Sequence, residues 1–69
     1  MEKSNKFAKV VGARIRYLRR IKDISQETIA FDLGGKSQSY ISAVENGKIN
    51  ISVRTLDSIL NTLKVSPEE

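Results

Sequence analysis

The 69-residue chain contains no cysteine and no histidine. The first absence excludes disulfides, thiolate metal sites and cysteine nucleophiles together. The second removes the usual base near neutral pH and the commonest metal ligand. No apolar run approaches the ~18 residues of a membrane-spanning helix, and no N-terminal apolar stretch has the form of a secretion signal. Carboxylates are present, but Glu2, Asp23, Glu27, Asp32, Glu45, Asp57, Glu68 and Glu69 do not gather as a catalytic or calcium-binding set would. Gly34-Gly35 lacks the further spacing of a phosphate-cradling loop. These absences argue against an enzyme; no metal or other cofactor is expected, and cytoplasm is the expected compartment.

What is present is a short basic chain, with one domain over residues 1–69 as the expectation. A chain of this size buries only about 60% of the surface its unfolded form exposes. Its core then contributes ~3–5 kcal/mol net, so packing or a partner subunit matters. Of the twelve basic residues, eight (Lys3, Lys6, Lys9, Arg14, Arg16, Arg19, Arg20 and Lys22) precede residue 23, against one acid, Glu2. A segment of net +7 suits a polyanion, either nucleic acid or an anionic membrane surface, and equally suits a solvated helix face that only aids solubility.

Apolar periodicity predicts four helices. Phe7, Val11, Ile15 and Leu18, with Val10 beside them, mark a first helix from about Asn5 to Ile21, capped by Ser4. Ser25 opens a second, with Glu27 in its first turn and Ile29, Ala30 and Leu33 on its apolar stripe; Gly34 suits the left-handed position that ends it. Ser37 opens a third, with Ile41 and Val44 inward and Asn46-Gly47 as its stop. Ser52 caps a fourth, carrying Leu56, Ile59, Leu60 and Leu63. Ser66-Pro67-Glu68-Glu69 reads as the opening of a fifth, truncated or very short. Alternation never persists long enough for a strand.

The second and third helices, each about eight to ten residues, are joined by Gly34-Gly35-Lys36. Isolated helices that short are marginal in water, so the first and fourth must hold them. In a helix-turn-helix the second member enters the major groove and its N-terminal residues meet base edges. The third helix has the composition for this: Gln38, Ser39 and Ser42 are short and polar, with Ala43 between. A glutamine can bond adenine N6 and N7 together.

In order, Ser25-Gln26-Glu27, Ile29-Ala30, Leu33-Gly34, Tyr40-Ile41-Ser42 and Glu45-Asn46-Gly47-Lys48 resemble the helix-turn-helix of the lambda repressor/Cro (XRE) family, over roughly Phe7 to Ser66. The resemblance implies an all-α, compact four- to five-helix, lambda-repressor-like DNA-binding domain that regulates transcription. It further implies a homodimer reading two half-sites about one helical turn apart. It implies that Gln38, Ser39 and Ala43 face bases, that Gln26 contacts a phosphate and braces Gln38, and that Asn46, with Lys48 nearby, holds the DNA backbone where the third helix ends; Ser42 is a further candidate for base contact and Ser25 for phosphate contact. Lys36 and Tyr40 are further candidates for DNA contact, and Arg19 and Glu45 match a structural ion pair. Relatives usually have one residue fewer between Leu33 and Ile41, and the extra one bears on the Gln26–Gln38 brace.

Each residue also has a plainer reading. Gln26, Gln38 and Ser39 alone would be solvent-facing polar residues, Ala43 packing filler, Tyr40 an anchor for the turn, and Asn46-Gly47 simply a helix stop. The loop Asn46 to Ser52, Tyr40-Ile41-Ser42 and the ending Val65-Ser66-Pro67-Glu68 also resemble controller proteins of restriction–modification systems. A helix-turn-helix antitoxin is an alternative that would need a toxin partner. A protein-interaction module that kept the fold without DNA binding is the alternative from another class. A membrane-surface role for the first helix ranks below these, because the core needs its apolar stripe.

Overall fold

The computed structural model describes residues 3–64, with side chains from Lys6 onward. Four helices follow one another: α1 (Lys3–Ile21), α2 (Gln26–Asp32), α3 (Gln38–Glu45) and α4 (Val53–Leu63). No strand occurs among the described residues. Three starts are set by serine caps of the same geometry. Ser25, Ser37 and Ser52 each have extended backbone and accept at 3.1 Å from the backbone N–H three residues on, at Thr28, Tyr40 and Thr55. Each satisfies one N–H that a helix start would leave without a partner. The first helix begins earlier than the sequence predicts, so Ser4 lies inside its first turn and not ahead of it. The expected fifth helix at Ser66-Pro67-Glu68-Glu69 lies outside the described residues.

The core is made of Ile15 and Leu18 from α1, Ile29 and Ala30 from α2, Ile41 and Val44 from α3, and Ile59 and Leu63 from α4. All four helices therefore contribute, which is how two helices of seven and eight residues stay folded. Two apolar residues that the periodicity of α1 groups with its inward stripe face outward instead. Phe7 and Val10 are 74% and 63% exposed, while Ala8 is buried. The inward line of α1 is Ala8, Gly12, Ile15, because α1 passes too close to the end of α3 for a larger side chain at residue 12. A methyl there would collide with the carbonyl oxygen of Val44 and lie 2.7 Å from that of Glu45.

The helix ends explain the turns. At the end of α3, Gly47 (φ 72°) donates to Val44 O at 3.1 Å and Lys48 donates to Ala43 O at 2.9 Å, the pair of bonds of a Schellman motif. The end of α1 repeats it with Asp23 (φ 57°) donating to Arg20 O and Ile24 to Arg19 O. At the end of α2 the motif is stretched by one residue. Gly34 donates to Phe31 O at 3.1 Å, but the outer bond to Ala30 O comes from Lys36 at 3.0 Å, with Gly35 inserted between. Gly34 and Gly35 both have positive φ, 88° and 87°, a succession that glycine adopts at little cost.

Candidate nucleic-acid interface

The first turn of α2 and the first turn of α3 lie side by side, and a chain of polar side chains joins them to α1. It starts at Glu45, in the last turn of α3, whose side chain has no exposed surface. Arg19 of α1 donates to it twice, Nε to Oε2 at 2.6 Å and Nη2 to Oε1 at 3.1 Å. Such a forked, charge-assisted pair is the strong kind of hydrogen bond. Arg19 also donates through Nη1 to Ile24 O at 3.0 Å, tying the α1–α2 connection to the same guanidinium.

Gln26 of α2 continues the chain. Its Nε2 donates to Glu45 Oε1 at 3.0 Å, and its Oε1 accepts from Gln38 Nε2 of α3 at 3.0 Å. The additional residue in the turn thus leaves the two glutamines within hydrogen-bond reach, because Gly35 is absorbed in the stretched end of α2 and not passed on to α3. Gln38 and Ser39 are exposed, Gln26, Ser42 and Ala43 half-buried.

Arg16 is a member that sequence reasoning missed. Its Nη2 donates to Asn46 Oδ1 at 2.7 Å and its Nε lies 3.4 Å from Glu45 Oε1. Its spacing of three residues from Arg19 puts both on one side of α1, the only signal that could have singled it out. Asn46 in turn donates through Nδ2 to Ser42 O at 2.9 Å. Its side chain thus closes the end of α3 and holds Arg16. Burial pushes the Glu45 carboxyl up, but hydrogen bonds from Arg19 and Gln26, the Arg19 charge and the Arg16 hydrogen bond outweigh it and hold the group below its ordinary value. Glu45 is therefore a carboxylate at neutral pH.

The remaining sequence-predicted residues fall around this chain. Ser25 caps α2 by accepting from Thr28 N–H, its Oγ also 2.9 Å from Thr28 Oγ1. Tyr40 is half-buried against the core, and Lys36 Nζ sits 5.2 Å from the centroid of its ring, within cation–π range. Lys48 is exposed beyond Gly47. Among the described residues no helix is long and apolar enough to cross a membrane.

A sequence model of the helix-turn-helix family matches residues 15–69. An uncharacterized HTH-type transcriptional regulator, y4dJ, of Sinorhizobium fredii is 39% identical over 61 residues, 88% of this chain and 78% of that protein. Control protein C.BamHI of Bacillus amyloliquefaciens is 31% identical over 67 residues, 96% of this chain and 82% of that one. No solved structure matches the chain. The chain belongs to the helix-turn-helix family of the XRE, lambda-repressor-like type, a family of DNA-binding transcriptional regulators.

Proposed function

We propose that this chain is a sequence-specific, double-stranded DNA-binding regulator of transcription that lays α3 in the major groove. The observation that carries the reading is the exposed polar first turn of α3, with Gln38 held at 3.0 Å by a glutamine from the first turn of α2. A base-reading side chain must be presented in one geometry, and a partner from a second helix supplies that. Gln38 and Ser39 would meet base edges, with Ser42 and Ala43 one turn on. Ser25, Gln26, Asn46 and Lys48 would supply phosphate contacts, and with them most of the affinity; Lys36, which sits 5.2 Å from the Tyr40 ring, and Tyr40 itself would be further contacts. Asn46 would have to add a phosphate to the bonds it already makes to Ser42 and Arg16. The working unit is a single domain over residues 1–69, acting as a homodimer on two half-sites in the cytoplasm, without enzymatic chemistry.

Selection of binding sites from random duplexes, followed by salt titration of the best site, tests this. Gln38→Ala should cost roughly 1–3 kcal/mol at one base pair and relax preference there. Equal loss on every sequence would mean that Gln38 does not read a base. Lys48→Ala should weaken binding evenly and lower the salt slope by about one; an unchanged slope removes Lys48 from the phosphate contacts. Absent or salt-insensitive binding to all duplexes would favour the protein-interaction reading. A narrower reading, control of a restriction–modification system, is favoured by the similarity to the Bacillus control protein over 96% of this chain. A selected site that recurs upstream of restriction or modification genes would support it, whereas co-purification with a toxin would favour an antitoxin.

A further inference from the structure

We infer that Glu45, although buried and remote from any groove, is a positioning residue for base recognition: through Gln26 it dictates which end of the Gln38 amide faces which way. The inference rests on the reading above that Gln38 meets a base.

An ionised carboxylate can only accept hydrogen bonds. Glu45 is ionised at neutral pH and its side chain has no exposed surface, so no water competes for Oε1 on the Gln26 side. Gln26 must therefore turn its amide nitrogen towards Glu45, as the 3.0 Å contact requires. Once the nitrogen is committed, the Gln26 oxygen faces Gln38, and an oxygen can only accept. Gln38 must then turn its own nitrogen to Gln26, again at 3.0 Å. Two amides that each have two orientations of similar shape are thus reduced to one combination, and the fixed charge at one end of the chain makes the choice.

The consequence at the surface is specific. One Nε2 hydrogen of Gln38 is spent on Gln26, which leaves the second hydrogen and Oε1 for a ligand. Donor and acceptor are held in a set order, the donor on the Gln26 side. Adenine offers the complementary pair in the major groove, N7 as acceptor and N6–H as donor, whereas guanine offers two acceptors. With the order fixed, adenine fits in one strand orientation and its reversal by a flipped amide is disfavoured. Arg19 secures the arrangement from behind, since its fork uses Oε2 and shares Oε1 without displacing Gln26.

Glu45→Gln keeps the shape of the side chain but can either donate to or accept from Gln26, which releases the choice. Binding of the variant to the selected duplex and to versions altered one base pair at a time, at fixed salt, tests the inference alongside Gln38→Ala and the double variant. The expected result is that E45Q lowers the preference for the Gln38-read base by about fivefold or more. Preferences elsewhere in the site and binding to unrelated duplex should hold, and E45Q should add nothing to that preference loss once Gln38 is alanine. Gln26→Met, which cuts the chain at its middle, should relax the same base pair. If E45Q does not fold, Arg19→Met with Glu45→Gln removes the stranded guanidinium and gives the same readout. A folded variant that loses affinity evenly, or keeps the full preference while Q38A loses it, overturns the role of Glu45. If Q38A itself leaves base preference unchanged, it is the base-reading assignment of Gln38 that fails.

Discussion

Gly12 decides how closely α1 can lie on α3. The atoms that would meet an added methyl are the backbone carbonyls of Val44 and Glu45, which cannot rotate away as a side chain would. Gly12→Ala removes a glycine from a helix interior, worth about 1 kcal/mol in propensity, but it wedges apart the two helices that share Arg19 and Glu45. Overpacking of this kind costs about 1–3 kcal/mol. The expected net effect is a loss of stability read as a melting temperature several degrees lower; an unchanged or raised value would show that α1 can back away freely. Glu45 is the other residue on which much depends. Its removal leaves the Arg19 guanidinium, whose side chain is only 13% exposed, without its carboxylate. Breaking a buried pair from one side costs about 3–5 kcal/mol, which matches the whole stability expected of a core this small. Glu45→Ala should therefore be largely unfolded by circular dichroism at 25 °C; a folded spectrum with a melting temperature near that of the parent counts against the pair as a structural tie.

The helix ends account for most of what is irregular in the fold, and one of them carries an evident fault. Asp23 occupies the left-handed position after α1 that Gly47 occupies after α3, with the same two backbone bonds around it. An aspartate there bears the cost of positive φ and puts negative charge at the negative end of the helix dipole. Asp23→Gly should raise stability by about 0.5–1 kcal/mol, seen as a higher urea midpoint with unchanged slope; a lower midpoint would mean that the carboxylate makes a compensating contact. At this scale the sequence was mostly legible. Ser25, Ser37 and Ser52 announce their helices because capping is a local matter of one side chain and the N–H three residues on. The inward face of α1 was not legible, because two overlapping helical lines, through Phe7 and through Ala8, both converge on Ile15. Only the approach of α3 chooses between them. Arg16 was hidden for a similar reason: its three-residue spacing from Arg19 puts it on the same side of α1, but only the approach of α3 makes it, among eight early cations, the one that reaches Asn46. The extra residue between α2 and α3 could be counted from the sequence, but whether it would part Gln26 from Gln38 depended on where the backbone stored it. Two consecutive positive-φ glycines stored it in the end of α2.

Taken as a whole, the molecule has its positive charge divided between surface and interior. The net charge is +4; Glu45 balances one of the two charges of Arg16 and Arg19, and the other remains, with the Arg16 side chain 36% exposed and that of Arg19 only 13%. The same carboxylate joins three helices, since its partners sit on α1 and α2 while it belongs to α3. This ties global stability to a single protonation. In the fold the Glu45 carboxyl is held below its ordinary value, by Arg19 and Gln26 against the opposing effect of burial. In the unfolded chain it titrates near the usual ~4.3. Above that pH the group is ionised in both states, and its contribution to stability is fully present. As the pH drops, the unfolded chain binds the proton first, and the contribution is lost progressively as the pH falls through the folded value. Urea unfolding from pH 6 down to pH 3 should therefore show stability falling with acid, and the fall should be shallower in Glu45→Gln, which starts from a lower plateau but has no proton to take up at this position. Parallel acid limbs for the two proteins would mean that the carboxylate is not held ionised by the fold. Because Gln26 hangs from the same carboxylate, acid should disturb the α2–α3 bridge together with the α1–α3 pair.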